Sequence, residues 1–136
     1  MARARRRILI VDDDPNDRAL IAATLRLRGM SDVESVRGGA EALHQLATES
    51  YALVILDVVM PFMTGIDLLE SLYALRSGVT GKRQELPRII VLTSCTETDL
   101  PSEQILNRYE GCVRAVLRKP TSVRELSDAA ARHVAS

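Results

Sequence analysis

The sequence predicts an α/β fold: a doubly wound, five-stranded parallel sheet with five helices packed on its two faces. Two observations lead there. Apolar runs of four or five residues alternate with longer amphipathic stretches along the whole chain. Those runs are rich in Val, Ile and Leu and nearly unbroken, as expected of parallel strands covered by helices on both sides.

The elements follow in order. Ile8 to Val11 forms a first strand that stops at Asp12, Asp13 and Asp14. Asp14 reads as an N-cap with Pro15 at N1, opening a helix that runs to about Arg28, where Gly29 ends it. Val33 to Val36 alternates in polarity and suits an outer strand. Ala42, Leu43 and Leu46 give the second helix its apolar face, and Ala52 to Leu56 is a strand ending at Asp57. Ile66, Leu68, Leu69 and Leu72 mark the third helix, after which Ser77 to Glu85 reads as a loop. Ile89 to Leu92 ends at Thr93 and Ser94, and a fourth helix, entered through Pro101, carries Ile105, Leu106 and Tyr109. Val113 to Leu117, broken by Arg114, ends at Arg118 and Lys119. Ser122 and Glu125 form a capping box for the last helix, whose inward candidates are Val123, Leu126, Ala130 and Val134. The crossovers between successive strands are expected to be right-handed.

The 136 residues suit one domain, with a core from Arg7 to His133 and a short basic N-terminal arm. Aromatic residues are 3% of the chain, so aliphatic side chains must build the core. A net charge of zero argues against a general nucleic-acid binder, and Arg3, Arg5, Arg6 and Arg7 read as a solvated N-terminus. Cys95 and Cys112 lie in no CxxC pair, and His44 and His133 stand alone. We therefore expect no zinc site and no disulfide, with both cysteines buried or half-buried in a reducing compartment. The first apolar run is too short for a signal peptide or a membrane span, so the expected location is cytoplasmic, without a membrane partner.

In open parallel α/β sheets, ligands bind beyond the carboxyl ends of the strands. Asp12 and Asp13 follow the first strand, Asp57 the third, Thr93 the fourth and Lys119 the fifth. Carboxylates converging from neighbouring strands repel one another unless a cation joins them. An all-oxygen set completed by water and phosphate suits Mg²⁺ better than Ca²⁺. Asp14 is assigned to capping, and Met60, Pro61 and Gly65 to shaping the loop after Asp57.

The stretches Ile8 to Pro15, Asp57 to Pro61 with Gly65, Leu92 to Ser94, and Lys119-Pro120 together resemble the signature of the response-regulator receiver family, which includes the chemotaxis regulators. The resemblance covers nearly the whole chain. It implies the flavodoxin-like sheet order 2-1-3-4-5. It implies that Asp57 is a nucleophile accepting a phosphoryl group from a histidine kinase or histidine phosphotransfer protein. Asp13, Asp57 and the backbone carbonyl of Val59 would hold Mg²⁺ directly, with Asp12 acting through water. Lys119, joined to Pro120 by a cis bond, and the Thr93 hydroxyl would contact the phosphoryl oxygens.

Three departures bear on that carry-over. Val116 stands where receivers often carry Tyr or Phe, which implies a different coupling to output. The segments Ser77 to Glu85 and Thr96 to Pro101 lengthen two loops, and the Leu92-Thr93-Ser94 pattern with the extended loop resembles small regulators paired with bacterial phytochrome kinases. Val59 and Cys95 are poor at orienting an attacking water, which implies a long-lived aspartyl phosphate. Because the chain ends just after the fifth helix, output is expected through contacts with an unidentified downstream protein, not through direct nucleic-acid binding. The expected face comprises the fourth helix, fifth strand and last helix, near Ile105, Tyr109 and Leu126; a homodimer is left open. Two alternatives differ in kind. A haloacid-dehalogenase-type phosphohydrolase would use Asp12 and Asp14, but Asn16 departs from that pattern and no cap domain fits. A phosphorylation-independent binding scaffold would have no need of Asp57, Thr93 and Lys119.

Overall fold

The computed structural model describes residues 6–58, 65–76 and 87–135. Arg3, Arg5, Val59, Met60, Pro61 and the Ser77 to Glu85 loop lie outside them. The elements are β1 (Ile8–Val11), α1 (Pro15–Leu27), β2 (Val33–Val36), α2 (Gly39–Thr48), β3 (Leu53–Asp57), α3 (Gly65–Arg76), β4 (Arg88–Thr93), α4 (Ser102–Arg108), β5 (Val113–Arg118) and α5 (Val123–Ala135). All strand pairs are parallel, and the sheet order is β2-β1-β3-β4-β5.

Strand side chains alternate between the two faces, and the three central strands show it residue by residue. Leu9, Val11, Val54, Leu56, Ile89 and Val91 meet Ala42 of α2, Leu68, Leu69 and Leu72 of α3, and Ile105 of α4. Ile8, Ile10, Leu53, Ile55, Ile90 and Leu92 meet Ile21 and Leu25 of α1 and Leu126 and Ala130 of α5. The unbroken apolar runs thus serve two cores at once. β2 is an edge strand with Glu34, Ser35 and its valines only partly covered or exposed, as its alternating pattern requires. In β5 the register passes from Ile89–Val113 to Ile90–Ala115, so a bulge takes up Arg114, which is exposed.

The helix ends follow their local chemistry. The Asp14 side chain accepts the Asn16 N–H at 2.8 Å, and Pro15 opens α1. The helix stops in a Schellman arrangement, with Gly29 N–H on the Arg26 carbonyl and Met30 N–H on the Leu25 carbonyl. Gly29 takes φ +86, a conformation that side chains resist. At α5 the Ser122 hydroxyl oxygen accepts the Glu125 N–H at 3.0 Å.

Two expectations need correction. Arg7 is not a solvated arm residue: it is only 8% exposed. Its guanidinium pairs with Glu34 and Glu49 and lies 4.8 Å from the Tyr51 ring centroid. These partners come from β2, the end of α2 and the start of β3, which nothing local to Arg7 announces. Burial, with the bond the Tyr51 hydroxyl donates to Glu34, pushes the Tyr51 pKa up to about 12. Val123, expected inward, is 51% exposed, because it opens α5 before the helix turns its apolar face to the sheet. Ile105, Tyr109 and Leu126 are buried, as their places on apolar helix faces predict, so any output surface near them is made by their neighbours.

Candidate functional site

Asp12 and Asp57 leave adjacent strands one step beyond the Val11–Leu56 pair, so the pairing of β1 with β3 brings them side by side. With Asp13 they form a cluster in which one carboxylate oxygen from each residue lies within 4.8 Å of the others. Asp12 is 1% exposed and Asp57 6%, whereas Asp13 faces solvent. The loop from β1 into α1 fixes Asp12 from two sides. Its Oδ1 accepts the Asp14 N–H at 3.0 Å, and its carbonyl accepts Arg18 Nη1 at 2.8 Å.

Lys119 enters from the far side of the site. Its Nζ donates to Asp12 Oδ2 at 2.8 Å and Asp17 Oδ2 at 2.9 Å, and lies 3.5 Å from Asp57 Oδ2. Burial alone would lower the lysine's pKa. The bonds to Asp12 and Asp17, with the Asp57 charge nearby, outweigh it and hold the ammonium above its usual range. The Lys119–Pro120 peptide is cis, as the resemblance implied. Thr93 is fully buried at the end of β4; its Oγ1 accepts the Cys95 N–H at 3.0 Å, and its carbonyl accepts the Lys119 N–H at 2.7 Å. Gly65 starts α3 directly against the end of β3. A Cβ there would lie 2.6 Å from the Asp57 carbonyl oxygen and collide with Val58 Cα.

The structure therefore brings together five of the six residues singled out from sequence: Asp12, Asp13, Asp57, Thr93 and Lys119. The carbonyl of Val59 lies outside the described residues. The three carboxylates and their all-oxygen chemistry fit a small hard divalent cation, since one lysine cannot neutralise three clustered acids. Asp17 was missed because an acidic residue in a first helical turn reads as ordinary dipole complementation. Val116 is partly buried against the aliphatic core on the α4 side.

A parallel sheet in this order, with acids and a lysine gathered at its carboxyl edge, has the flavodoxin-like arrangement. The chain belongs to the response regulator receiver domain family of two-component systems, whose profile matches residues 8–131. It is 32% identical over 120 residues to a transcriptional regulatory protein, the CpxR homolog of Haemophilus influenzae, covering 85% of this chain and 52% of that protein. The chain thus spans about half the length of such relatives. A CheY-like receiver domain protein from Methanospirillum hungatei superposes with a TM-score of 0.76 at 26% identity, covering 94% of this chain and 92% of the other. The response regulator TrrA of Thermotoga maritima, solved in complex with Mg²⁺ and BeF, gives a TM-score of 0.69 at 27% identity, covering 93% and 96%.

Proposed function

We propose that Asp57 accepts a phosphoryl group from a histidine kinase or histidine phosphotransfer protein, in a Mg²⁺-dependent reaction, and that the modified domain signals through protein contacts in the cytoplasm. The observation that carries this reading is the placement of Asp57: nearly buried, clustered with Asp12 and Asp13, and 3.5 Å from the Lys119 ammonium. One carboxylate oxygen of Asp57 attacks phosphorus. The new O–P bond forms as the bond from phosphorus to the donor breaks, and the donor leaves with that electron pair.

Lys119 sits where its charge meets the phosphoryl oxygens as they come onto Asp57. It gives up bonds to Asp12 and Asp17 to do so, and both are acids whose charge then needs another partner. Asp13, Asp57 and the Val59 carbonyl would hold Mg²⁺, with Asp12 acting through water, and the ion would supply that charge. The Thr93 hydroxyl oxygen accepts from Cys95 and keeps its own proton to donate to a phosphoryl oxygen. Val59 follows Asp57 by two residues and Cys95 follows Thr93 by two, and neither side chain is a strong hydrogen-bond partner for water, so slow hydrolysis of the aspartyl phosphate is expected.

Intact mass after incubation with Mg²⁺ and acetyl phosphate tests the proposal. A single phosphoryl adduct is expected, absent in Asp57→Asn and after chelation of Mg²⁺. No adduct, from acetyl phosphate or from a kinase, would leave the fold serving as a binding scaffold.

A further inference from the structure

We propose that Arg118 is a positioning residue that couples the phosphoacceptor centre to α4 by fastening the segment between Thr93 and Ser102; this rests on Asp57 being the phosphoacceptor. Arg118 ends β5 in register with Thr93 at the end of β4, immediately before Lys119. Its guanidinium donates through Nη1 to the carbonyls of Cys95 at 2.9 Å and Thr96 at 3.2 Å. Through Nη2 it donates to Glu97 Oε2 at 2.7 Å, the Leu100 carbonyl at 2.5 Å and Ser102 Oγ at 2.9 Å. One side chain therefore holds the beginning, middle and end of the same segment.

Glu97 completes the connection. Its carboxylate accepts the Ser102 N–H at 2.7 Å and the Ser102 hydroxyl at 2.8 Å, joining Arg118 to the first residue of α4. A partly exposed ion pair adds little stability by itself. What this arrangement supplies is direction, because a planar guanidinium holds its donors in a rigid fork, whereas an ammonium's donors rotate on a flexible stem. The path from the centre is short. The Cys95 N–H is bonded to Thr93 Oγ1, so a phosphoryl group that draws the Thr93 hydroxyl displaces Cys95, whose carbonyl is held by Arg118. Val116, aliphatic and packed against the core, offers no polar link along that route.

Amide NMR of the full chain, with and without Mg²⁺ and beryllofluoride, tests the coupling in wild type, Arg118→Ala and Arg118→Lys. In wild type, shifts are expected both at the centre (Asp12, Asp13, Thr93) and along Thr96 to Arg108. In both variants the centre responds as before, while the response along Thr96 to Arg108 is largely lost. Failure of the conservative lysine variant to restore it distinguishes fork geometry from charge. An unchanged α4 response in Arg118→Ala, or no α4 response in wild type, would overturn the inference. If Arg118→Ala does not fold, Glu97→Gln must itself weaken the α4 response, and an undiminished response there would overturn the inference equally. A wild type silent at the centre, together with no adduct by mass, would instead remove the phosphoacceptor reading on which the coupling stands.

Discussion

At the scale of single residues, the site is built from groups that are costly in isolation and tolerable together. Asp12 and Asp57 are nearly buried acids, and each is within reach of Lys119, which is itself drawn toward Asp17. Removing one partner of such a set leaves uncompensated charge. Backbone proximity matters as much as charge. Gly65 lies so close to Asp57 and Val58 that no side chain fits without moving the end of β3 or α3. Gly65→Ala is expected to destabilise the domain by about 1–3 kcal/mol, the usual range for overpacking. It should also slow formation of the Asp57 adduct. Urea unfolding and the mass assay check the two effects, and a variant with wild-type values in both would contradict the close-approach argument.

At the scale of elements, local sequence chemistry explains where helices begin and end. Asp14 illustrates the point because it stands in a run of three aspartates and only two of them enter the cluster. Its side chain is committed to the Asn16 N–H, and its own N–H orients Asp12. Asp14→Ala should therefore cost about 1 kcal/mol of stability through loss of the cap. The backbone bond to Asp12 remains, so Mg²⁺-dependent adduct formation should persist. Loss of the adduct with unchanged stability would make Asp14 a ligand instead of a cap. The same reasoning covers Arg114, which broke the apolar run of β5 and turns out to occupy a bulge.

At the scale of the molecule, the acidic cluster trades stability against binding. Without a divalent cation, the clustered Asp12, Asp13 and Asp57 have Lys119 as a shared neighbouring cation, and its ammonium meets Asp12, Asp57 and also Asp17. Mg²⁺ that binds only the folded state stabilises it by about 2.7 kcal/mol at a hundredfold excess over its dissociation constant. Mg²⁺ should thus raise the melting temperature of the wild type. Asp13→Asn, which relieves repulsion, should melt higher than wild type without Mg²⁺ and respond much less to its addition. Melting curves with Mg²⁺ and with chelator decide this, and an Asp13→Asn protein that still gains the full increment would place the ion elsewhere.

The sequence by itself determined the five strands, the five helices, the α1 caps and the membership of Asp12, Asp13, Asp57, Thr93 and Lys119 in one site. Those features rest on hydrophobic period and on residues at strand ends, both of which are local in the chain. Only the tertiary structure decided the fate of Arg7, the pull of Asp17 on Lys119 and the reach of Arg118 across the segment leading to α4. Long cationic side chains choose partners by proximity after folding. Arg7 finds acids 27 and 42 residues away, and Lys119 finds Asp17 at a separation of 102 residues, distances over which no periodic pattern carries information. Burial of those charges became affordable only once the sheet order had placed the strand ends beside one another.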